Sequence, residues 1–149
     1  MAARRGRSEF TLRSRRSELI LGTPGAVRPG RRARRRIRSS DAVFRSHLQL
    51  RSAGELENDL AKNYAAKVVL LTHEGVYRGH RGVRRAAQVL KRYVPGETYR
   101  YTNKHVVHGY AFLEWKAKGT RGKTCYGWDG FVIRRGRIVA QMIYFHCEL

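Results

Sequence analysis

The sequence predicts an α+β domain, with an antiparallel-rich sheet covered by helices, over residues 41–149. Apolar residues recur at helical spacing between 43 and 64 and again between 83 and 94. After residue 97 the chain reads as strand upon strand, broken by Gly-containing turns. Helices first and hairpin-connected strands afterwards is the order that lets one sheet face be buried by helices. The length of 149 residues is that of one domain.

Residues 1–40 stand apart. They hold 13 Arg against only Glu9 and Glu18, so they carry +11 of the total formal charge of +21. Gly and Pro are scattered through them, and no apolar period is long enough to bury a face. This composition predicts a disordered N-terminal extension, because too little apolar surface is available to offset the entropy of ordering. Residues 31–38, "RRARRRIR", are its densest candidate for phosphate binding, which leaves open an association with nucleic acid. An Arg-rich, acid-poor leader also fits a transit peptide. Translated upstream sequence of a GC-rich genome is the leading reading, since Arg outnumbers Lys 25 to 7.

From Asp41 the texture changes. Ser40 or Asp41 can cap a helix carrying Val43, Phe44, His47, Leu48 and Leu50. "SAG" at 52–54 interrupts it, and Leu56, Leu60 and Tyr64 repeat at i, i+4, i+8 as a second helix. "KVVLLT" (67–72) is a strand, and "HEGVYRG" (73–79) turns into a short second one. Val83, Ala86, Ala87, Leu90 and Val94 form one helical stripe stopped by Pro95-Gly96, with Arg and Lys on its solvated side. Strands follow at about 97–108, 110–118, 123–134 and 137–147, with turns at Gly109, "KGTRGK" and "RRGR".

Several function classes are disfavoured. No run approaches the roughly 18 apolar residues of a membrane span. Cys125 and Cys147 form no CxxC pair or disulfide framework, which suits a reducing compartment and predicts a cytoplasmic protein. The chain has no G-x-G-x-x-G, P-loop or G-x-S-x-G, and no HxH or HExxH ligand set, so neither nucleotide cofactor nor metal is expected.

In this order of elements, "YAAKVVLLTHEGVYRG" and the closing "DGFVIRRGRIV" give the chain a resemblance to the nuclear-transport-factor-2-like (NTF2-like) superfamily, and within it to the SnoaL-like polyketide-cyclase branch. The resemblance covers about residues 41–147. It implies a cone-shaped fold, a strongly curved sheet wrapped around N-terminal helices, with a small-molecule pocket in its mouth. The superfamily includes isomerases, cyclases, dehydratases and binding proteins, so fold alone does not give the reaction. Arg135-Gly136 departs from the Asp-Gly frequent in the family's last hairpin turn, which predicts a weaker turn or one of another type.

A two-residue turn at Arg135-Gly136 sets Asp129 opposite Met142 and Cys125 opposite His146. Asp129, Phe131, Met142 and Tyr144 then share one face, and Trp128, Ile143 and Phe145 the other. A bulged turn would alter these pairings. Both faces are apolar-rich, so one is expected to line the pocket and the other to meet a second subunit, giving a homodimer through the open sheet face. The two cysteines fall on opposite faces, and a disulfide between them is not expected.

Asp129 is the main candidate. Desolvated among Phe131, Met142 and Tyr144, it can serve as a general base or acid, the role of an acidic residue near this point in the SnoaL-like branch. It can also be a structural strand Asp held by neighbouring N–H or O–H groups. His47 and His105 are its candidate partners, and Glu114 is a second strand acid, for which a pair with Lys or Arg across the sheet is the commoner reading. Tyr64 and Trp115 complete the expected lining, for an apolar, ring-containing ligand handled without cofactor. A non-catalytic binding or interaction module and a nucleic-acid-associated protein are the alternatives.

Overall fold

The computed structural model describes residues 36–148; residues 1–35 of the extension expected over 1–40, with most of its 31–38 phosphate-binding candidate, lie outside the described residues. Helix α1 (Ser40–Ser52) and helix α2 (Leu56–Asn63) lead into strand β1 (Tyr64–Thr72) and strand β2 (Gly75–Arg78). Helix α3 (Gly79–Tyr93) follows, then β3 (Tyr99–Val107), β4 (Tyr110–Lys118), β5 (Thr124–Arg134) and β6 (Arg137–Cys147). One six-stranded sheet has the order β2-β1-β6-β5-β4-β3, in which β1 runs parallel to β6 and every other pair is antiparallel. None of the helices among these residues is long and apolar enough to cross a membrane.

Local chemistry explains the helix ends. Ser39, one residue before the caps expected from sequence, accepts from the Ala42 N–H at 3.2 Å. Asp41 in the first turn of α1 and Arg51 in the last complement its dipole. Arg38 donates to the Ala42 and Lys62 carbonyls and to Asn63 Oδ1, tying the start of α1 to the end of α2. Tyr64, which at helical spacing reads as the end of α2, is instead the first residue of β1; its side chain is buried on the sheet's inner face.

The sheet curves because three of its pairings carry irregularities. Thr102 is an extra residue in β3, between the pairs Tyr101↔Trp115 and Asn103↔Glu114. Val139 is an extra residue in β6, between Ile133↔Ile138 and Val132↔Ala140. The β1–β6 pairing shifts between Tyr64 and Val69. Each bulge bends its strand and strengthens the twist. α1 packs into the resulting concavity through Val43, Phe44 and Leu48, which join Leu60, Val68, Phe131 and Ile138 in the core. Arg135 and Gly136 both have positive φ, 50° and 74°, as a type I′ turn requires. The tight hairpin turn therefore forms with Arg in the left-handed region.

The Val139 bulge overturns the register expected from that turn. Pairing follows the two-residue turn only as far as Ile133↔Ile138; beyond it Asp129 lies opposite Ile143, not Met142. A slip of one residue exchanges the faces of the strand. Gln141, Ile143 and Phe145 therefore turn inward with Asp129 and Phe131. Met142 and Tyr144, expected in the pocket, point outward and are 41% and 44% exposed. Trp128 lies beside Tyr144 on that outer face, the ring centroids 4.6 Å apart.

The same slip places Cys125 opposite Cys147, and the two are joined in a disulfide. This corrects the expectation of unpaired cysteines on opposite faces, and with it goes the support that unpaired thiols gave to a reducing compartment.

Two outcomes are expected. A chain beginning at Asp41 should melt several degrees below one beginning at Arg36, since the Ser39 cap alone contributes about 1 kcal/mol and the Arg38 bonds are lost with it; equal melting temperatures would show that neither residue holds the helix pair. Oxidised protein, denatured without reductant, should titrate as free of thiols, and Cys147→Ser should lower stability by about 3 kcal/mol, the loop-closure value for a 22-residue separation. Two titratable thiols would contradict the disulfide.

Candidate functional site

The inner face of β5 and β6 carries one carboxylate, Asp129, 7% exposed. Trp115 on β4 donates its indole N–H to Oδ1 at 3.1 Å, and Gln141 on β6 donates to Oδ2 at 2.9 Å. Gln141 in turn accepts from the Tyr64 hydroxyl at 2.6 Å. Four residues from four strands thus form one buried chain. Trp115 can lie across β5 because its partner there is Gly127; a Cβ at that position would overlap the indole ring.

A second chain enters from the helices. His47 Nδ1 lies 2.8 Å from Asp59 Oδ2, both side chains being buried. Because a carboxylate accepts, a hydrogen sits on Nδ1. Asn63 donates to Asp59 Oδ1 at 2.8 Å and to Ser46 Oγ at 3.3 Å, and Arg38 donates to Asn63 Oδ1 at 2.8 Å. The imidazole also packs edge-on against Tyr64 and Phe131, with centroids at 5.7 and 5.1 Å. Its orientation is therefore fixed from both sides.

The two chains meet at a pocket of about 580 Å³ of atom-free space, its open mouth included. His47, Arg51, Tyr64, Asp129 and Gln141 supply its polar wall. Val83, Ala86 and Leu90 of α3, with Leu113 and Ile143 of the sheet, supply its apolar wall. Tyr99 and Tyr101 complete it from β3.

Burial shapes the titration of this wall. Desolvation pushes the Asp129 carboxyl above its ordinary value, opposed by the bonds from Trp115 and Gln141 and by the His47 and Arg51 charges. Desolvation likewise raises the phenols of Tyr64, Tyr99 and Tyr101, while Arg51 pulls each of them down. A carboxylate base and an oriented imidazole facing one cavity can together move a proton between two atoms of a bound molecule.

The residues singled out from sequence divide by face. Asp129, His47, Tyr64 and Trp115 line the pocket. Phe131 lies behind the pocket, in the core against Phe44 and His47. Met142 and Tyr144 are corrected to the outer face by the bulge. Glu114 is also outward and exposed, because Leu113 and Trp115 take the inward positions of β4. His105, expected as a partner of Asp129, is exposed on β3 and stacks on Phe112 at 6.5 Å.

Sequence reasoning missed Asp59, Gln141, Arg51, Tyr99 and Tyr101. Asp59 falls three residues after Leu56 on α2 and carries no local sign of burial. His47 and Arg51, four apart on one helix, were a legible pair of polar residues on an apolar face. Among the described residues no cluster of three or more His, Cys, Asp or Glu is placed to hold a metal ion.

No protein-family model matches the chain, and no curated protein matches it in sequence. Solved structures do. A steroid delta-isomerase from Pseudomonas aeruginosa is 17% identical with a TM-score of 0.60, over 71% of this chain and 78% of that one. A protein of Mesorhizobium loti, provisionally described as a SnoaL-like polyketide cyclase, is 14% identical with a TM-score of 0.56, over 72% and 99%. A de novo designed protein with a curved β-sheet reaches a TM-score of 0.61 at 15% identity, over 73% and 88%. Likeness at these identities concerns the fold: a helix-filled, curved and unclosed sheet in this strand order makes residues 36–148 a cone with the fold of the nuclear-transport-factor-2-like superfamily, SnoaL-like proteins among its structural relatives.

Proposed function

We propose that the cone binds a small ring-containing molecule and that Asp129 moves a proton on it, in an isomerase, cyclase or dehydratase type of reaction that needs no cofactor. One observation carries the reading: a buried carboxylate, held by two neutral N–H donors and no cation, faces a part-apolar pocket beside an imidazole fixed by its own buried carboxylate. Neutral donors orient the carboxylate while leaving it basic, and desolvation raises that basicity. His47 Nε2, with its ring anchored through Nδ1–H to Asp59, is placed to exchange a proton with a carbonyl or hydroxyl oxygen of the ligand. Apolar side chains from α3 keep competing water from the reacting face.

Asp129→Asn is the discriminating variant. The new amide can bond to Gln141 if that side chain turns over, and the Tyr64 hydroxyl can then accept, so folding should persist. Wild-type protein in deuterated water should accelerate exchange of the ring protons next to the carbonyl of cyclohexanone derivatives. Asp129→Asn should lower that rate about 100-fold or more with binding retained. The rate should rise with pH through an acid limb lying above the usual carboxylate value near 4, because the base must be ionised and burial raises its pKa. An unchanged rate in the variant would reduce Asp129 to a structural residue. Both of its oxygens are already bonded, and binding of cyclohexanones with no exchange would favour the non-catalytic reading.

We also propose a homodimer through the outer sheet face. Tyr110, Trp128, Met142 and Tyr144 are each more than two-fifths exposed there, and a contiguous apolar surface of this kind marks an association site. Sedimentation at micromolar concentration should give twice the chain mass. Trp128→Glu or Tyr144→Glu should give monomer or aggregate by placing an unpaired charge in the contact. Ile143→Glu should damage the pocket instead. A wild-type monomer at these concentrations would overturn the proposal.

A further inference from the structure

Arg51 ends α1 in the wall of the cone. It lies one turn beyond His47 and on the same helix face. Arg51 is part-buried, and among the described residues its guanidinium has neither a carboxylate within ion-pair distance nor a hydrogen-bond acceptor. Arg45 pairs with Asp41, Arg84 with Glu57, and Arg38 with backbone and Asn63, whereas Arg51 is the one Arg or Lys among the described residues lining the inner pocket.

Glu97 lines the same outer hollow but lies 3.7 Å from Lys91, and Asp129 of the inner wall is held by Trp115 and Gln141, so neither is paired with Arg51; two phenols stand close to it as donors. The Tyr101 hydroxyl accepts from Ser52 Oγ at 3.4 Å, which leaves its own hydrogen to give. Tyr99 stands beside it on β3. Burial pushes both phenols further from ionisation, so both remain hydrogen donors at neutral pH. Arg51 and Tyr99 also border an open hollow lined by Ser52, Gly54, Gly96 and Thr98, which places them where the inner cavity meets solvent.

We propose that Arg51, with the Tyr99 and Tyr101 hydroxyls, is an anion-recognising subsite at the mouth of the cone, and that the ligand is a ring compound carrying a carboxylate. The guanidinium fork matches the two carboxylate oxygens, and phenolic hydrogens can complete the anion's shell. Four residues of helix separate Arg51 from His47 by about 6 Å along the axis. The ligand would then lie with its charged group at the mouth and its apolar ring between α3 and the sheet. Its reactive carbon would be carried inward toward Asp129 and His47. The inference rests on the cone being a ligand site; it does not require Asp129 to turn the ligand over.

Matched probes test it on the full chain. 4-Oxocyclohexanecarboxylate and 4-oxocyclohexanecarboxamide have the same shape and differ by one charge. Titration calorimetry should show the carboxylate binding about tenfold or more tightly, since a charge-assisted bidentate contact exceeds a neutral one. Arg51→Gln should abolish that preference while leaving carboxamide affinity in place and lowering the melting temperature by no more than the few degrees that loss of a helix-end charge accounts for, and Arg51→Lys should keep part of the preference. Asp129→Asn should retain the full preference. Equal affinities in the wild type, no carboxylate binding at millimolar concentration, or a preference that survives in Arg51→Gln would each overturn the subsite. A preserved preference without proton exchange would overturn the catalytic reading alone.

Discussion

The bulge at Val139 turns β6 over between its two halves, and the contents of the cone follow from that single extra residue. Without it, Met142 and Tyr144 would face α1, and Gln141 would face solvent. With it, Gln141 reaches Asp129 from one side and Tyr64 from the other, Ile143 becomes pocket wall, and the far end of the hairpin brings Cys125 to Cys147. A bulge costs local pairing and leaves its extra residue outside the ladder. Here the inward Gln141 has its amide and carbonyl both hydrogen-bonded, to Asp129 and from Tyr64, so that its burial is satisfied.

Two fully or nearly buried carboxylates share the interior, and neither is neutralised by Lys or Arg. An unpaired buried charge is expensive unless hydrogen-bonded. Asp59 is satisfied by His47 and Asn63, and Asp129 by Trp115 and Gln141. Every one of these donors is itself bonded or packed: Asn63 by Arg38, His47 between Tyr64 and Phe131, Trp115 over Gly127 and edge-on to Tyr99 at 5.2 Å. The polar interior is thus a pair of closed networks. A half-satisfied network would be worse than an apolar core, which explains why the supporting residues reach as far as Arg38 at the edge of the described chain.

Much of this was legible in the sequence, and the part that was not has a physical cause. Periodicity and β-branched runs located the three α-helices and the six strands, because most of them bury one face against the same core and the pattern records that face. Asp129, Trp115, Tyr64 and His47 were legible as polar groups set within apolar runs. β6 was misread because a bulge has no periodic signature: "RIVAQMIYF" alternates acceptably in either register, with large apolar side chains on both faces. The misplacement of Met142 and Tyr144 and the unpaired cysteines were one error, not three. Glu114 and His105 failed for another reason. A strand acid or His gives no sign of which face it occupies until its neighbours do, and Leu113 and Trp115 claim the inside of β4. Asp59 was invisible because its burial depends on α2 docking against α1.

The site belongs to no single element, and this bears on how the fold and its chemistry are linked. Asp129 is oriented only when β4, β5 and β6 are in register, and His47 only when α1 and α2 have docked. Tyr64 is common to both, bonding Gln141 77 residues away in the chain and packing on the His47 ring. Contacts of such separation form late, after loop-closure entropy has been met by the rest of the structure. The carboxylate and the imidazole therefore acquire their geometry from the completed cone. Rotamers locked in this way by packing and outer hydrogen bonds are what the proposed catalytic pair would require, and Arg51, at the mouth, is held by no such network among the described residues.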